Sequence, residues 1–185
     1  MKNAFFLILI MLTLSHCAKK VTDLSLKDYR SVEGIKIGMP IAEALQVLDK
    51  KYYVEKQKLR ILDDEPESIE YVVFANKSKK ETLFAFNGGH TKKNANNIFR
   101  IVLKNPKFNT AEGVHVGMNV KDLKSKAKLK SADFNFQDGL YILSDKFDGG
   151  YWMDLDAKKD YKSNYNKPAI KDIPEHLKIK GIVLF

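Results

Sequence analysis

The chain has 185 residues, 32 lysines and arginines against 23 acidic residues, and a formal net charge of +9 at pH 7. That length allows one domain or two small ones with a true apolar core, and the single cysteine excludes an internal disulfide. The positive charge favours anionic lipid headgroups, an acidic glycan, an acidic protein or a merely solvated surface, whereas the export signal at the N-terminus argues against nucleic acid.

Residues 1–16 have the composition of a secretory signal peptide. Lys2 provides the positive start, the run from Ala4 to Leu14 is apolar except for Thr13, and small or polar residues follow. This run is about half as long as the roughly 20 apolar residues that a membrane-spanning helix needs. It therefore predicts export and not a permanent helical anchor.

The residues before the cysteine indicate where a lipid is attached. Leu14 stands three positions before Cys17, which resembles the lipobox of bacterial lipoproteins, although His16 occupies a position that in the motif is Gly, Ala or Ser. The resemblance implies lipidation of Cys17, a lipidated tether over residues 17–30, and an outer-membrane lipoprotein that faces the periplasm. The alternative is ordinary cleavage after Cys17, which releases a soluble protein.

A repeat organises the rest of the chain. Residues 33–39 read EGIKIGM and residues 112–118 read EGVHVGM, so that four of seven positions are identical and two others exchange one β-branched residue for another. The match predicts a first unit over residues 31–106 and a second over residues 110–185. Each unit is too small to be stable alone without disulfides, so the two are expected to share a sheet or to pack together.

The repeated glycines and methionines predict two equivalent turns. Gly38 and Gly117 allow the chain to pass from a strand into a helix without a Cβ clash, and Met39 and Met118 fill the core below that helix. The full set of predicted turn residues is Gly34, Gly38, Met39, Gly113, Gly117 and Met118.

A helix and three strands are predicted after each turn. Pro40 in the first unit, and Asn119 with Asp122 in the second, are typical of helix starts, and the apolar residues that follow share one helix face. Apolar runs predict strands at Tyr71–Phe74, Phe84–Asn87, Ile101–Leu103, Tyr141–Ser144, Met153–Asp156 and Ile182–Leu184. The predicted fold class is α+β, with two tandem helix-strand-strand-strand repeats and the helices packed on one face of an antiparallel sheet.

This duplicated arrangement is similar to the tandem repeats of β-lactamase inhibitory protein, and to its single-repeat relative, the small lipoprotein of the outer-membrane β-barrel assembly machinery. The resemblance depends on the Gly38–Met39 and Gly117–Met118 turns and on the order of elements. The inhibitor's repeats contain disulfides, and this chain has none. The resemblance implies a periplasmic protein that binds other proteins with a sheet surface or loops.

One predicted hairpin contains the best candidates for protein binding. Phe147, Tyr151 and Trp152 flank a glycine pair, and large aromatic side chains are frequent anchors at interfaces. The alternative is that Trp152 is buried in the strand that it begins.

The sequence offers no catalytic motif and no metal site. His90, His115 and His176 lack the spacing of a zinc pair, and there is no Gly-x-Ser-x-Gly turn. The spacing of Asp154 and Asp156 with the later aspartates does not match a calcium-binding loop. We therefore expect no cofactor, no metal and no enzymatic activity.

The expected function is that of a membrane-anchored, non-enzymatic accessory that binds an envelope protein or assists envelope assembly. An inhibitor of a secreted or periplasmic hydrolase is the alternative, and an enzyme acting on envelope polymers lacks a motif. Two groups of lysines could in addition contact anionic headgroups, although solubility is the simpler explanation and the one that we favour. They are Lys77, Lys79, Lys80, Lys92 and Lys93 in the first unit, and Lys121, Lys124, Lys126, Lys128 and Lys130 in the second.

Overall fold

The computed structural model describes residues 29–59, 68–89, 91, 93–135, 139–155 and 167–185. The predicted signal, Cys17 and the tether up to residue 28 lie outside the described residues, as do His90 and Asp156.

Within these ranges the chain forms ten strands, two α-helices and one 3-10 turn. In chain order they are β1 (Ser31–Val32), β2 (Ile35–Lys36), α1 (Ile41–Leu48), β3 (Tyr53–Leu59), β4 (Ser68–Phe74), β5 (Thr82–Gly88), β6 (Ile98–Leu103), α2 (Val120–Lys126), β7 (Leu129–Asn135), β8 (Gly139–Ser144), β9 (Gly149–Asp154), the 3-10 turn (Ile170–Asp172) and β10 (Lys178–Leu184).

Eight strands form one antiparallel sheet that contains both units. The order across the sheet is β3-β4-β5-β6-β10-β9-β8-β7, while β1 and β2 pair separately. The last strand of each unit lies at the centre, where Ile101 pairs with Leu184 and Leu103 pairs with Ile182. The first unit therefore provides one half of the sheet and the second unit provides the other half.

The predicted α+β class with helix-strand-strand-strand repeats is wrong. The protein is mostly β, because its helices have only eight and seven residues while the eight strands of the sheet have six or seven each. The prediction missed β3 and β7, which follow the helices directly. Both are edge strands, and charged residues such as Lys56, Lys58 and Lys130 are exposed on them. Charged edge strands resist pairing with other chains, but their sequences lack the apolar runs that identify buried strands.

The main core lies between the helices and one face of the sheet. Ala44 and Leu48 of α1 and Val120 and Leu123 of α2 belong to the same buried cluster as alternate residues of the central strands. The helix α2 begins at Asn119, whose side-chain oxygen accepts a hydrogen bond from the Asp122 backbone N–H at 2.8 Å. This cap satisfies one of the N–H groups that a helix start leaves without a partner.

The two Gly-Met turns connect each unit to its own last strand. Gly38 and Gly117 have φ values of +85° and +91°, a conformation that glycine adopts without strain. The Gly38 N–H donates to the Ile98 carbonyl at 2.7 Å, and the Gly117 N–H donates to the Ile179 carbonyl at 2.8 Å. The methionine that follows each glycine is buried, and Gly34 and Gly113 also have positive φ. The repeated sequence thus builds the same turn in both halves.

Candidate functional site

The sheet has a second face, which we call the helix-free face. Its buried side chains form two small clusters that, in the described ranges, contain only strand residues and the C-terminal Phe185. One cluster contains Val72, Phe74 and Ala85 in the first unit. The other is centred on Val102, Tyr141 and Val183, with Leu143, Trp152 and Phe185 around it. Strand alternation places these residues opposite the helix-side core.

Trp152 is partly buried and packs against the buried residues of the second cluster. Its ring stacks on the Tyr141 ring, with centroids 6.2 Å apart and planes 13° apart, and the Lys180 ammonium lies 4.5 Å from its ring centroid. A cation over the face of an indole ring is attracted by the negative charge of the π system. The centre of the face therefore combines a layered pair of aromatic rings with a positive charge.

Arg100 extends this arrangement across the junction between the two units. Its Nη2 donates a hydrogen bond to the Tyr141 hydroxyl at 2.7 Å, although β10 and β9 lie between their strands. Beside it, Phe99 is 41% exposed and its ring centroid lies 6.0 Å from that of Phe185. Phe99 occupies a register shift between β5 and β6, and such bulges commonly redirect a side chain.

The first unit's half of the face carries lysines that are paired with acids. Lys104 Nζ lies 3.1 Å from Glu70 Oε2, and Lys79 Nζ lies 2.9 Å from Glu55 Oε2. The hydrogen bond from the Lys79 ammonium to the Glu55 carboxylate is the main reason why the pKa of Lys79 is raised. These charges are balanced within the protein, so they add little net potential to that half.

The three predicted binding residues do not form one surface. Tyr151 is 1% exposed and belongs to the helix-side core, whereas its neighbour Trp152 is half-buried on the helix-free face. Phe147 is half-buried in the turn before β9 and stacks on Tyr29. The turn consists of residues 145–148, and the glycine pair that follows lies inside β9.

Phe147 packs instead against the helix-side core, where its ring lies between the Tyr29 ring and the edge-on Tyr151 ring, at centroid distances of 4.6 Å and 5.9 Å. The Tyr29 hydroxyl donates to Glu112 Oε2 at 2.8 Å. Burial, followed by this hydrogen bond, raises the pKa of Tyr29 to about 12. Burial acts to raise the pKa of Glu112, but the hydrogen bond from Tyr29 and further polar contacts outweigh it and lower that pKa. These contacts are structural, because they link Tyr29 to the second unit.

Several residues of the helix-free face were not predicted from the sequence. Arg100 interrupts the apolar run IFRIVL, and a charged residue in a central strand is a usable signal. Lys180 precedes Gly181 in KIKGI, where the alternation of apolar and polar residues breaks. Such a break indicates a bulge, but it does not tell which side chain contacts which partner.

The described residues contain no arrangement suited to metal chemistry. In these ranges no three His, Cys, Asp or Glu side chains are close enough to hold a metal ion. His115 Nδ1 lies 2.9 Å from the Val116 carbonyl oxygen, which is a local structural contact. Across the same part of the chain, no helix is long and apolar enough to span a bilayer.

Fold and surface together define a mostly β protein with one eight-stranded antiparallel sheet and an aromatic, basic centre on its helix-free face. No family model matches the sequence, and none of the curated proteins matches it. The crystal structure of the uncharacterized protein yfeY from Escherichia coli is similar, with a TM-score of 0.56 and 15% sequence identity. The match covers 85% of this chain and 97% of that chain, and at this identity it shows the fold alone.

Proposed function

We propose that this protein is a non-enzymatic lipoprotein of the bacterial outer membrane, which faces the periplasm and binds another envelope protein. The observation that carries the proposal is the helix-free face, where Trp152 and Phe185 surround a buried centre. Among the described residues, Phe99 is the one large hydrophobic side chain that is exposed, and it lies on this face next to Phe185. An aromatic patch on a sheet face that carries none of the described helices is a common feature of protein-binding surfaces.

Attachment through Cys17 is supported by the sequence of the signal and by its lipobox resemblance. From Cys17 to the first described residue, Tyr29, the chain spans at most about 40 Å when fully extended. Such a tether allows the sheet to reach a partner near the membrane surface. The basic residues of the chain would add weak attraction to anionic headgroups, about 1 kcal/mol for each lysine close to the surface.

The anchoring part of the proposal is tested by the mature N-terminus. Mass spectrometry of the purified protein should find a peptide that begins at Cys17 and carries diacylglyceryl and acyl groups. A Cys17→Ser variant should lose this mass and move from the membrane to the soluble fraction. An unmodified N-terminus after Cys17 would show that the protein is released and not anchored.

The binding part is tested by site-specific photo-crosslinking in intact cells. A photoreactive amino acid at Phe99 should give a discrete adduct with one envelope protein. The same group at Lys121, which is exposed on α2, is the matched control and should not give that adduct. Equal adducts from both positions, or none from Phe99, would contradict binding through the helix-free face.

A further inference from the structure

Lys178 and Lys180 are two cations on the helix-free face that lack an acidic partner. In the described ranges no carboxylate lies within 4.0 Å of either ammonium, whereas Lys79 and Lys104 on the same face pair with Glu55 and Glu70. The first unit balances its lysines and the second unit does not. Of these four lysines, the two without an ion pair therefore lie in the second unit, and the Lys180 ammonium lies over the Trp152 ring.

The position of Lys180 depends on an irregularity in the central strand β10. The register shifts between Ile179 and Gly181, so that Lys180 and Gly181 together oppose Trp152. A Cβ at Gly181 would lie 3.0 Å from Val102 Cγ1 and 3.4 Å from Trp152 Cε3, so glycine gives the indole its space. The bulge turns the Lys180 side chain toward the ring, in an arrangement that regular alternation would not produce.

Two carboxylates share this half of the face with the two lysines: Asp154, and Asp133, which is the register partner of Tyr141. Asp154 is the register partner of Lys178 but forms no ion pair with it within 4.0 Å, among the residues described. Arg100 adds a third positive charge at the junction of the units, where it donates to the Tyr141 hydroxyl. With Lys178, Lys180 and Arg100 against Asp133 and Asp154, a partner that approaches Trp152 meets one net positive charge, which favours carboxylates over basic groups.

We infer that the partner presents an acidic, extended segment to the helix-free face, with carboxylates toward Lys178 and Lys180 and apolar side chains toward Trp152 and Phe185. This inference rests on the proposed function and names the chemistry of the partner. Lys178 and Lys180 are two positions apart on one strand, a separation of about 6–7 Å. Alternate residues of an extended partner segment have the same separation, so one face of that segment can contact both lysines.

Trp152 is the single tryptophan of the chain, so its fluorescence reports directly on this site. The test uses the full mature chain and three synthetic peptides of alternating residues, Glu-Leu, Gln-Leu and Lys-Leu. The Glu-Leu peptide should change Trp152 emission in a saturable manner and should bind at least tenfold more tightly than the Gln-Leu peptide. Added salt should weaken its binding, because mobile ions screen exposed charges.

Variants separate the lysine contribution from general effects on folding. Lys180→Gln should weaken Glu-Leu binding about tenfold, as expected for one lost charged contact. Lys180→Arg keeps the cation over the ring and should restore most of the affinity. Lys121→Gln on α2 removes an exposed charge from the helix side and should leave binding unchanged.

Three results would overturn the inference. Equal binding of the Gln-Leu and Glu-Leu peptides would show that carboxylates are not recognised, and preferred binding of Lys-Leu would reverse the assigned charge. Phosphatidylglycerol vesicles that alter Trp152 emission through Lys180, without any response to Glu-Leu, would identify a membrane surface instead. The Phe99 crosslink tests the proposed function separately, so that an adduct can persist when the acidic segment is refuted.

Discussion

The ring of Tyr29 stacks on the ring of Phe147, with centroids 4.6 Å apart and planes 7° apart. Tyr29 lies two residues before the first unit, whereas Phe147 lies in the turn between β8 and β9 of the second unit. The Tyr29 hydroxyl also donates to Glu112. In the first unit the equivalent residue of the repeat, Glu33, accepts instead from the Tyr52 hydroxyl at 2.6 Å. Glu112 of the second unit therefore accepts its hydrogen bond from Tyr29, which lies outside that unit, whereas Glu33 accepts from a tyrosine of its own unit.

Removing only the Tyr29 hydroxyl tests the value of this link. Tyr29→Phe keeps the stacked ring but loses the bond to the Glu112 carboxylate, and we expect it to lower the free energy of unfolding by about 1 kcal/mol. Tyr29→Ala loses the ring as well and should cost more. Urea denaturation gives both values. Tyr53→Phe is the matched control, because the Tyr53 hydroxyl makes no hydrogen bond with a described residue; an equal effect of both Phe variants would refute the link.

The raised pKa of Tyr29 predicts a loss of stability at alkaline pH. Its folded-state pKa of about 12 lies above the ordinary value of 10.0. The stabilising contribution is therefore fully present below pH 10 and is lost as the pH rises toward 12. Burial also raises the pKa values of Tyr52 and Tyr151.

Ultraviolet titration of tyrosine ionisation, combined with unfolding measured between pH 9 and 12, checks this prediction. The Tyr29→Phe variant should have one late-ionising tyrosine fewer, and its stability should fall less steeply with pH. The same late ionisation in both proteins would show that Tyr29 is not responsible.

Much of the sheet could be predicted, because the central strands have continuous or alternating apolar residues. Each of the six predicted strands overlaps an observed one, from Tyr71–Phe74 in β4 to Ile182–Leu184 in β10. The edge strands could not be predicted in this way, since a strand with charged residues on its exposed side resembles a loop in sequence. Because β3 and β7 were not predicted, the predicted share of strand was too low and the helices appeared more prominent than they are.

The candidate site was harder to predict than the strands. The aromatic side chain of Trp152 is a usable signal for a binding residue. The glycine pair before it, however, predicts a hairpin turn at a place where the structure has the start of β9. That interpretation left the faces of Tyr151 and Trp152 unassigned, because one position decides which residue points to the core. Lys180 depends on a bulge, and the length of a bulge is set by pairing between strands distant in sequence.

A substitution at Gly117 isolates the backbone requirement of the repeated turn. A Cβ at Gly117 would meet no atom within 4 Å, so the cost of Gly117→Ala comes from its φ of +91° alone. We expect a loss of about 1–2 kcal/mol in the free energy of unfolding. Gly117→Asn should lose less, because asparagine tolerates this conformation better. Urea denaturation compares the two, and an alanine variant as stable as the natural protein would mean that the turn accommodates other conformations.

Gly181→Ala examines the opposite case, in which space and not backbone conformation requires glycine. The added methyl group would lie 3.0 Å from Val102 Cγ1, 3.2 Å from the Leu103 carbonyl oxygen and 3.4 Å from Trp152 Cε3. The side chains must move by a few tenths of an ångström, which we expect to cost about 1–3 kcal/mol. Because one of these three atoms belongs to the Trp152 indole, the emission maximum of Trp152 should shift in the folded protein.

The Gly117→Ala variant is the control for this measurement, since it should lose stability without altering Trp152 emission. Gly117 lies in the turn beside Ile179, on the helix side of the sheet. An unchanged emission maximum in Gly181→Ala would show that the indole does not depend on the space left by this glycine.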